Sequence, residues 1–289
     1  MDLIKHIILG IIQGFTEPLP ISSSGHIFLF KSLFNTNMFN DLNLEIFLNF
    51  ASFIAILIIF WKDVVKLVTG FFGYISSKGK KYKNEFKYCM LIVLGTIPVG
   101  ILGLIIKDPL EELLSKNVYL VGFGFLATAI ALILVMNSNG KKEDDDITYK
   151  DALIVGICQA IALVPGISRS GMTLVGCLLC GLNKKSSLKY AFMLYFPVSI
   201  VTMILGVKDI AETGLNLGLL GYYAIGMVFA FILTYISYKW LTKLVEKGKL
   251  WKFSIYLIIV AIFTKSYIIT IIIYHNITFI FTGNIYNIF

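Results

Sequence analysis

The sequence predicts an all-α, polytopic membrane protein made of two inverted-topology repeats, each a re-entrant helical hairpin followed by three transmembrane helices. Three observations lead to this prediction: the composition, a series of long apolar segments, and a polar motif that occurs twice. Of the 289 residues, 57% are hydrophobic and 15% are charged, and the mean hydropathy is +0.84. An average soluble domain is roughly 45–50% apolar and about 25% charged. A soluble fold would therefore leave too much apolar surface in water.

The first repeat is predicted to cover residues 1–145. It begins with a hairpin over 2–34, because the apolar run of residues 2–16 stops at Glu17-Pro18-Leu19-Pro20 and then resumes only briefly. A spanning helix needs about 20 mainly apolar residues, and neither arm of the hairpin reaches that length. The three transmembrane helices of this repeat are predicted at 44–61, 88–106 and 118–136.

The second repeat is predicted to cover residues 146–289. Its hairpin, over 151–181, is interrupted at Pro165-Gly166. Residues 10–26 align without a gap on residues 156–172, and seven of these 17 positions are identical. The three transmembrane helices of this repeat are predicted at 190–207, 219–238 and 253–274.

The order of the segments predicts that the second repeat is inverted relative to the first. Three spanning helices separate the hairpins, and an odd number of crossings reverses the direction in which the second copy enters the membrane. Repeats of this kind place a binding site near the midplane, where the interrupted helices meet. Lysines are concentrated in residues 62–88, which have seven, and 239–252, which have five. Cytoplasmic loops carry the excess of Lys and Arg, so these loops are predicted to be cytoplasmic and the first hairpin to open outward.

The chemistry is predicted to lie in the two polar turns. Pro18 disfavours a helical conformation at Glu17, and a carboxylate within a membrane segment is costly and marks a functional site. Serines can cap the next half-helix, whose free N–H groups attract anions; these serines are Ser22, Ser23, Ser24, Ser168 and Ser170. Arg169 is the only arginine among 25 basic residues, and its planar fork suits phosphate. With His26 nearby, these groups favour phosphate hydrolysis over passive binding.

These motifs resemble those of the undecaprenyl-diphosphatase family, also called the bacitracin-resistance family. The resemblance rests on QGFTE at 13–17, LPISSSGH at 19–26 and PGISRSGMT at 165–173. It implies a multi-pass enzyme of the bacterial cell membrane that converts undecaprenyl diphosphate into undecaprenyl phosphate and phosphate. This activity recycles the lipid carrier for peptidoglycan synthesis and gives bacitracin resistance. The resemblance also implies a site open to the extracytoplasmic face and a divalent cation, Mg²⁺ or Ca²⁺.

The family's functional residues are carried over position by position. Glu17, Ser23, His26 and Arg169 correspond to catalytic positions, and Gln13 with Glu17 to the family's acidic pair that binds the metal. The phosphate-binding positions are Ser22, Ser24, Ser168, Ser170 and Thr173. Gln13 is a departure, because an amide replaces one of two charged metal ligands. The sequence leaves water, Ser23 and His26 as alternative nucleophiles.

Other functions are weighed against this one. Type-2 phosphatidic acid phosphatases also have a Ser-Gly-His element, but they need a second His after their Ser-Arg, and none follows Ser168-Arg169 here. A transporter or flippase of polyprenyl phosphate carriers is the stronger alternative, because inverted repeats are also a transporter architecture. The expected partners are a polyprenyl diphosphate lipid and the bilayer, with no nucleic acid, and a homo-oligomer is left open.

Overall fold

The computed structural model describes residues 2–34, 42–116, 118–264 and 266. No β-strand occurs in these residues, and their organisation is helical throughout. The helices, in chain order, are α1 (Asp2–Thr16), α2 (Ser23–Phe34), α3 (Leu42–Ile59), α4 (Trp61–Ser76), α5 (Lys83–Lys116), α6 (Val118–Val135), α7 (Tyr149–Ile161), α8 (Arg169–Leu179), α9 (Lys184–Thr213), α10 (Leu220–Glu246) and α11 (Trp251–Thr264).

The prediction of an all-helical membrane protein is confirmed. Within the described ranges, three helices are long and apolar enough by themselves to cross a membrane, and they lie in α5, α9 and α10. The number of candidate spans rises to four if α3 and α4 are counted together as one span, although the chain bends by 77° between them. The helices α6 and α11 are also apolar but shorter. The predicted segment 253–274 continues outside the described residues.

Both polar motifs lie in a turn between two short helices. The first turn joins α1 to α2 and contains Pro18 and Pro20, which have no backbone N–H to continue a helix. The second joins α7 to α8 and contains Pro165 and Gly166. Gly166 has φ +82°, and a Cβ there would lie 2.3 Å from the Val121 carbonyl oxygen of α6. A larger residue at this point would push the second turn away from α6.

Small residues let the first short helix of each half pack closely on a long helix of the other half. A Cβ on Gly10 would lie 2.3 Å from the Gly226 carbonyl oxygen, and one on Gly14 would lie 2.3 Å from that of Ala230. These residues form a small-xxx-small face on α1 and another on α10, which is how membrane helices approach each other closely. The helix α7 approaches α5 in the same way, with Gly156 against the backbone of Gly95. The two halves are therefore interlocked.

Candidate active site

A cavity of about 300 Å³ lies where the two polar turns meet. Its polar wall includes Glu17, Asn49, Gln159, Arg169 and the serines of both turns. Its apolar wall includes Val99 of α5, Leu163 beside the second turn, and Met203 of α9. A cavity with one polar and charged wall and one apolar wall suits a ligand that has both a polar and a lipid part.

Glu17 is the acidic centre of this cavity and is only 9% exposed. It follows α1 directly, and its backbone N–H still donates to the Gln13 carbonyl oxygen at 2.9 Å. One carboxylate oxygen, Oε1, accepts a bond of 2.9 Å from Arg169 Nη2. The other, Oε2, accepts from Ser23 Oγ at 2.5 Å and from Gln13 Nε2 at 3.1 Å. The carboxylate is thus held by donors from both halves of the chain.

Arg169 is the first residue of α8 and brings the positive charge to the site. The bond to Glu17 uses one of the three guanidinium nitrogens, and five N–H donors are available on an arginine. The guanidinium carbon lies 4.9 Å from the centre of the Tyr195 ring, on α9. A cation over an aromatic ring is attracted to it, which helps to hold the guanidinium in this part of the cavity. The structure thus brings together the carboxylate, the arginine and the serines of the two turns.

Both turns end in a serine that caps the following helix. Ser22 Oγ accepts from the Gly25 N–H at 3.3 Å, and Ser168 Oγ accepts from the Gly171 N–H at 3.1 Å. Ser170 Oγ donates to the Leu19 carbonyl oxygen at 2.9 Å, which ties the second turn to the first. The first residues of α2 and α8 line the cavity, and helix N-termini favour anions.

His26 lies behind the first turn and is not among the described residues that line the cavity. Its Nδ1–H donates to the Ser22 carbonyl oxygen at 2.8 Å, and Nε2 lies 2.7 Å from the Tyr256 hydroxyl. Ser22 has φ +68°, in the left-handed region that costs a non-glycine residue energy. At the equivalent position of the other half, Ser168 has an ordinary φ of −78°, and Met172 stands where His26 would be. The unusual turn and the histidine occur together.

Gln13 and Thr173, predicted as a metal ligand and a phosphate-binding residue, support other site residues. Gln13 is 1% exposed and sits beneath Glu17, where its Nε2 also donates to Asn49 Oδ1 at 2.7 Å. Thr173 Oγ1 donates to the Arg169 carbonyl oxygen at 2.8 Å, one turn along α8. Neither is among the described residues that line the main cavity.

The comparisons with known proteins agree with these motifs. Residues 6–263 match the family described as bacitracin resistance protein BacA. The chain belongs to the BacA family. It is 40% identical to undecaprenyl-diphosphatase 2 of Bacillus thuringiensis (strain Al Hakam), over 92% of this chain and 98% of the relative. It is 39% identical to undecaprenyl-diphosphatase of Oceanobacillus iheyensis, over 90% and 94% of the two chains.

Several cavity residues of this BacA-family chain were not predicted from sequence, among them Asn49, Gln159 and Tyr195. A signal for them exists in the repeat. The register that aligns the two turns also aligns Asn49 of α3 with Tyr195 of α9, and Gln13 with Gln159. Asn49 is in addition a polar residue inside an apolar span, a combination that marks functional positions in membrane proteins.

The cavity can offer a cation oxygen ligands, which Mg²⁺ and Ca²⁺ prefer. The described ranges contain no group of three or more His, Cys, Asp and Glu side chains that could hold a metal by themselves. Glu17 supplies one carboxylate, and Asn49 and Ser23 supply neutral oxygens in the same cavity. Mg²⁺ is commonly bound by one or two carboxylates together with substrate phosphates. These residues fit a cation that arrives with a phosphorylated substrate.

Proposed function

We propose that this chain is a membrane diphosphatase that converts undecaprenyl diphosphate into undecaprenyl phosphate and inorganic phosphate. The observation that carries the proposal is the Glu17–Arg169 pair, 2.9 Å apart, between two helix N-termini and beside an apolar wall. The names of the relatives support the same substrate. The reaction recycles the lipid carrier for peptidoglycan synthesis and so accounts for bacitracin resistance.

In this mechanism Arg169 and the two helix N-termini bind the diphosphate, and Glu17 accepts a proton from the nucleophile. Arg169 and the N-termini of α2 and α8 stabilise negative charge on the transferring phosphoryl group. Ser23 Oγ, 2.5 Å from Glu17 Oε2, is the nucleophile that the geometry favours. As the Oγ–P bond forms, the hydroxyl proton passes to Glu17 and the bond from that phosphorus to the oxygen of the lipid phosphate breaks. Water then hydrolyses the phosphoserine and restores the Ser23 hydroxyl.

The leaving group needs little help from an acid. A departing lipid phosphate is stable as an anion near neutral pH, because the second pKa of a phosphate monoester is about 6. The mechanism therefore does not require an imidazole in the cavity, and we assign His26 the role of holding the Ser22 turn. A divalent cation, Mg²⁺ or Ca²⁺, held by Glu17, Asn49 and Ser23, would add positive charge against the phosphate oxygens.

The proposed function is tested by phosphate release from undecaprenyl diphosphate by the purified protein in detergent. Release that depends on added Mg²⁺ or Ca²⁺ and stops with a chelator supports both the activity and the cation. A protein that only moved lipid carriers would release no phosphate. Under single-turnover conditions, a phosphorylated Ser23 should be trapped by acid quench. Solvent ¹⁸O that enters the released phosphate while no phosphoserine forms would instead make water the nucleophile.

The role of His26 can be separated from direct catalysis by two substitutions. In His26→Asn, the amide nitrogen takes the place of Nδ1 and can still donate to the Ser22 carbonyl oxygen, so we expect kcat/KM within about tenfold of wild type. His26→Met copies the other half of the chain, where the turn is relaxed. The left-handed conformation of Ser22 costs about 1–3 kcal/mol. Without the hydrogen bond from His26 the turn should relax to an ordinary conformation, which should lower kcat/KM on the order of ten- to a hundredfold. Equal loss in both variants would show that the imidazole itself reacts.

We also propose an inverted arrangement of the two halves, 1–145 and 146–289, in the bacterial cell membrane with the cavity open to the outside. Each half then contributes a re-entrant hairpin, formed by α1 and α2 or by α7 and α8, and three spans. The equivalent starts of α2 at Ser23 and α8 at Arg169 support the repeat. The lysine-rich loops support the orientation.

Single-cysteine labelling in intact cells tests this orientation. In a background without Cys89, Cys158, Cys177 and Cys180, cysteines at Lys81 and Lys247 should be protected from a membrane-impermeant thiol reagent. A cysteine at Asn216 should react, because this exposed residue lies in the opposite loop. Permeabilised cells serve as the control, since all three positions should then react. The reverse pattern would turn the cavity toward the cytoplasm.

A further inference from the structure

Gln159 stands out because it is buried in the cavity wall without a partner. It lies on α7, is 1% exposed, and lines the same cavity as Glu17 and Arg169. Neither its Oε1 nor its Nε2 has a hydrogen-bond partner within the part of the chain that the structure describes. The great majority of buried polar side-chain atoms are hydrogen-bonded, and an exception calls for an explanation.

The repeat supplies a comparison for this glutamine. Gln13 occupies the equivalent position in the other half and is equally buried, at 1% exposure. Its amide nitrogen donates to both Glu17 and Asn49. The counterparts of these two acceptors beside Gln159 are Leu163 and Tyr195, which offer no carboxylate or amide oxygen. The same residue type is thus satisfied by the protein in one half and left without a protein partner in the other.

We propose that Gln159 is a substrate-binding residue whose Nε2 donates a hydrogen bond to a non-bridging oxygen of the lipid diphosphate. The inference rests on the proposed diphosphatase activity. Gln159 and Arg169 both line this cavity and also a small space beside it, so the two side chains are placed to bind the same diphosphate. The Oε1 atom is an acceptor, and a water molecule in the hydration shell of the diphosphate can donate to it.

A buried structural water is the rival partner for Gln159, and the two make opposite predictions about stability and activity. If the Gln159 amide pairs only with substrate, it lowers the stability of the ligand-free protein, because a buried polar group without a hydrogen bond costs free energy. Replacing it by an apolar residue of similar size should then leave the protein as stable or more so while activity falls. If the amide is bonded through water to the protein alone, its loss lowers stability and leaves substrate binding unchanged.

The experiment compares Gln159→Leu with Gln13→Leu as the matched control. For Gln159→Leu we expect a ligand-free Tm at or above that of wild type, and a kcat/KM for phosphate release lower on the order of ten- to a hundredfold, as for a hydrogen bond to a charged group. The rise in Tm caused by inorganic pyrophosphate should shrink. Gln13→Leu should instead lower the ligand-free Tm, because Glu17 and Asn49 lose a donor.

Each outcome decides the proposal. Wild-type kcat/KM and a wild-type pyrophosphate shift in Gln159→Leu overturn it, and so does a lower Tm with unchanged pyrophosphate binding. If Gln159→Leu does not fold, Gln159→Met, which is unbranched and close in length, is measured against the same two criteria. If the wild-type protein releases no phosphate, the proposed function fails by itself, and the pyrophosphate shift still decides whether Gln159 binds a diphosphate.

Discussion

Glu17→Gln is expected to lower kcat/KM for phosphate release by at least about a hundredfold, the lower end of what a positioned acid or base contributes. The substitution keeps the size of the side chain but removes the only carboxylate among the cavity-lining residues of the described chain. It also sets an amide among Arg169, Ser23 and Gln13, all of which now donate to the carboxylate. The amide has one acceptor oxygen for three donors, so the pairing cannot be preserved.

Glu85→Gln is the matched control for this prediction. Glu85 is also partly buried and ion-paired, with its carboxylate 3.5 Å from Lys66 Nζ and its side chain 19% exposed, but it lies away from the cavity. Its activity should remain close to that of wild type, and both variants should elute as single species in detergent. Near-normal turnover by Glu17→Gln at saturating Mg²⁺ is the result that refutes the assignment.

Arg169→Lys is expected to lower kcat/KM on the order of 10²–10³, the range seen when a positioned charge-stabilising donor is removed. A lysine can restore the charge beside Glu17, but it has neither the planar fork for two phosphate oxygens nor the flat face that stacks on Tyr195. The chain otherwise uses lysine at every basic position, so this substitution tests geometry with the charge retained.

Ser168→Ala provides the comparison for the arginine. It removes a neutral hydroxyl that caps α8, and such caps contribute about 1 kcal/mol to stability. We expect a lower Tm and a smaller loss of kcat/KM than in Arg169→Lys. A fully active Arg169→Lys enzyme would show that the reaction does not depend on the guanidinium geometry.

The parts of the site that sequence reasoning predicted share one property: each stands out locally. Glu17 is a charge beside a proline in an apolar run, and Arg169 is the sole arginine, between two serines. Their meeting followed from the repeat, because the two turns are equivalent and equivalent elements of interlocked halves come together. Local signals and one internal symmetry indicated that Glu17 and Arg169 share a site, whereas the 2.9 Å ion pair between them was not predicted.

What could not be predicted depends on contacts between distant elements. The direction of the His26 ring is set by a strained backbone at Ser22 and by Tyr256, which follows 230 residues later. Hydrophobic periodicity carries no information about either. The 77° bend after α3 was also missed, because the predicted segment 44–61 ends where α3 ends and the residues that form α4 were predicted to be part of a loop. Composition measures how apolar a segment is and does not report its direction.

The distance along the chain between Glu17 and Arg169 has a consequence for how the protein is made. The two residues are separated by 152 positions, so at about 5–20 residues per second the arginine is synthesised roughly 8 to 30 seconds after the glutamate. During that interval the nascent chain holds a carboxylate without its counter-ion, and such a group is expensive in hydrocarbon. We therefore expect the first hairpin to wait near the aqueous boundary and to reach its final depth only after the second half has been inserted.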